Sequence, residues 1–156
     1  MKVKKVILAS HGTVGARSAE QFALDLCLEN DASLHQLLVV PDFWKGMMGD
    51  DWLNNAITQS RFGDYVESQL AREAADELER LAQTCEQAGV NYSNTVRLGK
   101  PAACLTNVVQ QIEFDLAIIG SPRPKGVSGY RSRMDLELLA RSLTIPLMVV
   151  PYPHNE

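Results

Sequence analysis

The stretch KVILAS, residues 5–10, is a short and mostly apolar run that is followed directly by His11, Gly12 and Thr13. Its length and its valine and isoleucine content predict a strand that is buried on both faces, as in a parallel sheet. Four further runs of this kind follow along the chain and predict four more strands: residues 36–40, 91–98, 114–120 and 145–150. The third run is the most polar of the five, so we expect it at an edge of the sheet.

Segments with helical periodicity separate these strands. They begin near Ser18, at residue 65, at Pro101 and at Leu136. The first is expected to turn Ala19, Phe22, Ala23 and Leu26 to one face. Gly89 is placed to end the second helix, and Ser132 or Asp135 to cap the last. The order β-α-β-α-β-α-β-α-β predicts an α/β fold, a doubly wound five-stranded parallel sheet with helices on both faces.

Composition narrows the class of protein. A chain of 156 residues with 46% hydrophobic side chains is the size of one domain, here residues 1–156, with a substantial core. A net charge of −4 argues against binding nucleic acid through overall positive charge. No apolar run reaches the roughly 18 residues that cross a membrane, and the one behind the basic start is too short for a signal peptide. The widely spaced cysteines, Cys27, Cys85 and Cys104, predict buried thiols in a reducing cytoplasm.

Two loops are expected to meet where the strand order reverses, beyond the carboxyl ends of the first and fourth strands. His11 lies in the first loop, where it either bonds a ribose, base or phosphate or is structural. The second loop carries cations and no acid, together with glycine that allows close backbone approach: Arg123, Lys125, Gly126, Arg131 and Arg133. Its sequence fits either a phosphate-binding loop or a solvated connection.

The long connection over residues 41–64 follows the second strand at the same edge. It carries Phe43, Trp44, Met47, Met48, Trp52 and Phe62. It is either a lid or partner-binding surface, or an excursion that covers the sheet. The chain has no G-x-S-x-G, no complete Walker loop and no G-x-G-x-x-G, and its three histidines form no local metal motif, so neither catalysis nor a metal site is predicted.

In this order and spacing the segments resemble the universal stress protein family from about Lys5 to Pro151. VILASHGT (6–13) resembles the opening strand and its Asp-Gly-Ser or Asp-Gly-Thr loop, with His11 in place of the aspartate. SAEQFALDL (18–26), LLVVP (37–41), RLGKP (97–101), DLAIIGS (115–121) and IPLMVV (145–150) resemble later elements. The resemblance implies strand order 3-2-1-4-5 and a dimer formed through the last strand.

One branch of the family binds ATP through Gly-x2-Gly-x9-Gly-Ser/Thr after the fourth strand. Gly120 fits the first position, whereas Arg123, Arg133 and Met134 occupy the others. The other branch has a degenerate motif, does not bind ATP and acts as a dimer. The resemblance therefore implies a stress-response regulatory or protective module with no turnover reaction, although slow ATP hydrolysis stays open.

A second hypothesis is a switch that binds ATP, ADP or AMP, with Mg²⁺ if the ligand is ATP. Its rim residues would be Ser10, His11, Gly12, Thr13, Val40, Gly120 and Ser121. Any anion site would then be rebuilt on the cations of the second loop, because arginine side chains hold phosphate themselves. A third hypothesis is an adenylating enzyme or electron-transfer flavoprotein subunit, which the short chain disfavours.

The last strand also carries a prediction of its own. Its residues Ile145, Leu147, Met148, Val149 and Val150 are apolar and lie at a sheet edge in the family's strand order. An exposed apolar edge is unfavourable unless it is paired or covered. We therefore expect a homodimer formed at this edge, the alternative being that residues 151–156 and the neighbouring helix cover it. A further protein partner is open.

Overall fold

A computed structural model describes residues 3–10, 14–40, 66–98, 100–121 and 135–151. The strands are β1 (Lys5–Ser10), β2 (Ser33–Val40), β3 (Tyr92–Leu98), β4 (Leu116–Gly120) and β5 (Leu147–Val150). The helices of the described residues are α1 (Val14–Asn30), α2 (Val66–Ala88), α3 (Pro101–Gln111) and α4 (Leu136–Ser142). Strands and helices alternate along the chain, as the sequence predicts.

The five strands form one parallel sheet in the order β3-β2-β1-β4-β5. This confirms the predicted fold class and the edge position of the polar third strand. The register places Val6 of β1 beside Leu34 of β2 and Leu116 of β4. Because β1 is a central strand with helices packed on both faces of the sheet, its side chains from Val6 to Ala9 are all buried.

The core lies in two layers, one on each face of the sheet. Val6 and Leu8 point to the layer that also contains buried residues of α1 and α2. Ile7 and Ala9 point to the layer that contains buried residues of α3 and α4. This alternation follows from the period of two in a strand. Each fully buried leucine or isoleucine contributes about 1.5–3 kcal/mol to folding.

Two predicted helix ends are confirmed in detail. The side chain of Asp135 caps α4 by accepting a hydrogen bond from the backbone N–H of Leu138 at 3.0 Å. Gly89, directly after α2, has a φ of 81°, which is the left-handed conformation that glycine adopts without strain. These residues fix where the flanking loops leave the two helices.

Several predicted boundaries are wrong. The first helix begins at Val14 rather than at Ser18, and β2 begins at Ser33 rather than at residue 36. The turn between them is tight, with Asp31 at a φ of 54° and Ala32 donating to the carbonyl of Cys27 at 2.9 Å. Because this turn needs only two residues, the strand starts before its apolar run does.

The apolar face of α1 is also shifted from the prediction. Phe22 is 38% exposed, whereas Glu20 is only 5% exposed. Ala19, Ala23 and Cys27 recur every four residues and define the buried stripe, and Glu20 lies within that stripe while Phe22 does not. A charged side chain therefore occupies a place in the core layer between α1 and α2.

Candidate functional site

The carboxyl ends of three strands lie together along one edge of the sheet, which is distinct from the edges formed by the outer strands β3 and β5. β1 ends at Ser10, β2 at Val40 and β4 at Gly120. Leu8 of β1 lies beside Ile118 of β4, so the ends of these two strands are level. Gly120 is beside Val150, and the backbone N–H of Ser121 donates to the carbonyl of Val150 at 2.8 Å. Gly120 and Ser121 are partly exposed.

The strand order places the reversal of direction between β1 and β4. From β1 the chain passes through α1 to β2 on one side, whereas β4 lies on the other side. Helix α1 begins at Val14, a few residues after β1, so its first backbone N–H groups lie at this same edge. Such N–H groups and the positive end of the helix dipole favour anions. The site predicted at this position stays a prediction.

Several predicted site residues lie outside the described residues. His11, Gly12 and Thr13 are among them. So are Arg123, Lys125, Gly126, Arg131, Arg133 and Met134 of the second loop. The same holds for residues 41–64 and 152–156. Of the predicted rim, the structure describes the backbone of Ser10 and Val40 and the whole of Gly120 and Ser121.

The β5 edge differs from its prediction in one respect. Ile145 lies before the strand and packs, like Leu147, against the core layer of α3 and α4. Pro146 lies between them and has no N–H to donate to a neighbouring strand, so β5 begins at Leu147. The carbonyl of Pro146 accepts a hydrogen bond from the backbone N–H of Ala117 at 3.0 Å. Met148 and Val149 are 39% and 36% exposed, while Val150 is buried. The exposed apolar surface of this edge is therefore Met148 and Val149.

A charged cluster between α1 and α2 was not predicted from the sequence. Arg80 contacts both carboxylate oxygens of Glu20 and donates to Glu77 at 2.9 Å. Arg17 lies 3.5 Å from Glu20 and 3.1 Å from Glu77. Burial raises the pKa of Glu20 to about 7, although Arg17 opposes this shift. The cluster joins the helix that follows β1 to the helix that follows residues 41–65.

A second polar group lies beside this cluster on the same face. Gln36 of β2 is fully buried, and its Oε1 accepts a hydrogen bond from the hydroxyl of Tyr92 at 2.5 Å. That hydroxyl also lies 3.2 Å from the carbonyl oxygen of Leu78 in α2. Burial raises the pKa of Tyr92 to about 12, so the phenol stays protonated. The group fixes α2 against the β2–β3 pair.

The opposite face carries a polar cluster on β2 and β3. The Nδ1 of His35 lies 2.6 Å from the hydroxyl of Ser93, and its Nε2 lies 2.7 Å from the hydroxyl of Thr95. Burial lowers the pKa of His35, and the charge of Arg97, two residues further along β3, acts in the same direction. The sequence shows Ser93, Thr95 and Arg97 at alternate positions, but it does not show that His35, about 60 residues earlier, lies beside them.

Among the described residues, no group of three His, Cys, Asp or Glu side chains is arranged to hold a metal ion. Within the same residues, no helix is both long enough and apolar enough to cross a membrane.

A sequence model described as the universal stress protein family matches residues 2–151 of this chain. The chain belongs to this family. The match covers nearly all of this universal stress protein, including every strand and the rim at the ends of β1, β2 and β4. No curated protein sequence matches the chain.

Solved structures share the fold of this universal stress protein. Hypothetical protein MJ0577 superposes with a TM-score of 0.71 at 15% identity, covering 99% of this chain and 100% of its own. A universal stress protein family member from Arabidopsis thaliana, solved with AMP bound, has a TM-score of 0.64 at 15% identity, covering 98% and 94%. A universal stress protein in complex with cAMP has a TM-score of 0.61 at 14% identity, covering 98% and 100%. At these identities the comparison shows the fold.

Proposed function

We propose that this universal stress protein is a dimeric, cytoplasmic regulatory or protective module without a turnover reaction of its own. The observation that carries the proposal is the apolar edge of the sheet at β5, where Met148 and Val149 are exposed. A protein that acts through assembly needs such a surface. The sequence has no G-x-S-x-G, no complete Walker loop and no G-x-G-x-x-G motif that would favour catalysis instead. The buried Cys27 and Cys85 fit a reducing compartment.

The two edges of the sheet support this proposal by contrast. At the β3 edge, Ser93 and Asn94 are exposed polar residues, so they offer a partner little apolar surface to bury. At the β5 edge, the strand pairs with β4 on one side, and two apolar side chains are exposed. A second copy related by a twofold axis would bring the same strand to this edge and cover its apolar surface.

A charge substitution at β5 tests the dimer. We expect Val149→Lys to convert the dimer to monomer at working concentration, because two lysines would meet near the twofold axis and would be desolvated. Light scattering coupled to size-exclusion chromatography measures the mass. Leu28→Lys is the matched control, since Leu28 is exposed on α1 and lies on another surface. A wild-type monomer, or equal dissociation in both variants, would contradict the proposal.

A second candidate function is adenine-nucleotide binding at the rim of β1, β2 and β4. It is favoured by the start of α1 at this edge and by the two relatives solved with AMP and with cAMP. Gly120 and Ser121 would lie against the ligand. The cations of the second loop would hold its phosphates in place of the backbone N–H groups of a glycine motif.

Calorimetric titration with magnesium ATP, ADP, AMP and cAMP tests this second function. If it is correct, Arg123→Ala and Arg133→Ala should weaken nucleotide binding by about tenfold each, the effect of losing one charge-assisted hydrogen bond. Arg141→Ala is the matched control, because Arg141 pairs with Glu137 at 2.7 Å on the exposed side of α4. No binding of any of the four nucleotides at millimolar concentration would refute this function and leave the dimeric module standing.

A further inference from the structure

His35 and three residues of the neighbouring strand form a cluster on the sheet face that carries α3 and α4. His35 stands beside Ile7 in the β1–β2 register and beside Ser93 in the β2–β3 register, and Ile7 belongs to the core layer of that face. Thr95 and Arg97 follow Ser93 at alternate positions of β3, so all three side chains share this face. Ser93 is exposed and the other three are partly exposed. Solvent therefore reaches the cluster.

The two hydroxyl contacts of His35 depend on its protonation state. A neutral imidazole has one N–H donor and one acceptor nitrogen, so one hydroxyl must accept from the ring and the other must donate to it. A protonated imidazole donates from both nitrogens, and then both hydroxyls accept. The O–H of Ser93 and the O–H of Thr95 are then both available to a third partner. Protonation of His35 therefore leaves the hydroxyl hydrogens of both residues free to be donated to a ligand.

Arg97 supplies a fixed positive charge next to these donors. Its Nη1 donates to the carbonyl of Val96 at 3.4 Å and its Nη2 to the Oε1 of Gln111 at 3.5 Å, which are long hydrogen bonds. Within the described residues, no carboxylate pairs with Arg97 or with His35. Its guanidinium therefore keeps hydrogen-bonding capacity for an anion.

Among the groups that contact His35 or act on its charge, Arg97 carries a positive charge and the others are neutral. Ser93 and Thr95 on β3 are neutral, Arg97 on β3 is cationic, and the ring of Phe114, before β4, lies 5.3 Å away at 45°. Burial lowers the pKa of His35, and the charge of Arg97 acts in the same direction. An anion that bound between the two cations would relieve their repulsion.

We propose that His35, Ser93, Thr95 and Arg97 form a site for a tetrahedral oxyanion, occupied when His35 is protonated. The ligand is an inorganic oxyanion or the phosphoryl group of a small ester. The hydroxyl groups and the guanidinium donate hydrogen bonds to the oxygens of the ligand, and the imidazolium of His35 adds a positive charge. His35 itself lies away from the rim, since it precedes Val40 by five residues of strand, about 16 Å, whereas Arg97 lies beside Val39.

Sulfate is the first probe, because its charge stays constant over the pH range of the experiment. The pKa of His35 is measured by following its ring signals by NMR in sulfate and in chloride at matched ionic strength, with the signals assigned from His35→Gln. We expect sulfate to raise that pKa by about one unit, as a nearby opposite charge does. By linkage, sulfate then binds about tenfold more tightly to the protonated protein.

Variants and a second ligand separate this site from nonspecific binding. Arg97→Gln should abolish most of the sulfate-induced shift, Thr95→Val should reduce it, and Arg141→Gln should leave it unchanged. Glycerol 2-phosphate, titrated in the same way, tests the phosphoryl ester, and a shift with either ligand supports the site. No shift of His35 with either ligand in the wild-type protein would overturn the proposal, as would an undiminished shift in Arg97→Gln. The wild-type result decides even if a variant does not fold.

Discussion

Replacing Glu20 by glutamine tests the charged cluster between α1 and α2. The Glu20 side chain is 6% exposed and lies among Arg17, Glu77 and Arg80. Burial raises its pKa from 4.5 to about 7, and the like charge of Glu77 acts in the same direction. Among the described residues, the Nε of Arg80 is buried without a hydrogen-bond partner. Glutamine keeps the shape of the side chain and removes its charge.

The raised pKa fixes the sign of the pH dependence. Between pH 4.5 and about 7 the folded protein holds a proton on Glu20 that the unfolded chain has lost, so the stability falls as the pH rises through this interval. At 1.36 kcal/mol per pH unit, this interval corresponds to a loss of about 3 kcal/mol in the free energy of unfolding. This is an upper bound, because the contacts from Arg80 favour the ionised form. We expect about 1–3 kcal/mol.

Urea unfolding followed by circular dichroism at pH 5 and pH 8, at one protein concentration, measures the effect. Relative to the wild type, Glu20→Gln should gain about 1–3 kcal/mol between the two pH values. Glu29→Gln, an exposed position on the same helix, is the control and should gain nothing. If Glu20→Gln instead loses stability relative to the wild type as the pH rises, the ion pairs dominate the burial and the reasoning is wrong.

Two further predictions concern single residues that fix the fold. Asp115 accepts hydrogen bonds from the backbone N–H groups of Lys4 and Lys5 at 2.8 and 2.9 Å, and these bonds lower its pKa. Asp115→Ala should therefore lower the free energy of unfolding by about 1 kcal/mol at pH 7, as measured by urea unfolding. The loss should become smaller as the pH falls through the lowered pKa of Asp115. An equal loss at pH 3 would show that these hydrogen bonds are not its cause. Gly89→Ala should lower the free energy of unfolding by about 1 kcal/mol. Only the positive φ causes this loss, since a Cβ at this position meets nothing within 4 Å. Gly89→Asn should lower the free energy of unfolding less, because asparagine adopts a positive φ more readily than alanine.

The sequence predicts the five strands because parallel strands buried on both faces need uninterrupted apolar residues, and those runs are visible without any structure. It fails where polar residues are held by contacts with distant segments. Glu20 is turned inward by Arg80, which lies 60 residues later. His35 lies in β2 ahead of its apolar run because Ser93 and Thr95 of β3 satisfy its ring nitrogens. Neither pairing leaves a local pattern.

The ends of the strands follow from the sequence pattern, whereas the site placed there stays a prediction. Alternating strands and helices fix where the strand order reverses, so Ser10 and Gly120 are placed correctly at one edge. The β5 edge is predicted as a whole, but Ile145 is not part of it, because the proline that follows delays the start of the strand. Which apolar residues of an edge are exposed depends on the packing of α3 and α4, which the sequence pattern does not reveal.

The subunit count of the unmodified protein tests the central claim most directly. Native mass spectrometry at micromolar concentration gives the number of chains in the assembly without any substitution. The account predicts the mass of two chains, with the apolar surface of Met148 and Val149 covered by a second copy. A single-chain mass of 17.2 kDa across the concentration range would contradict it, because the β5 edge would then be stable without a partner.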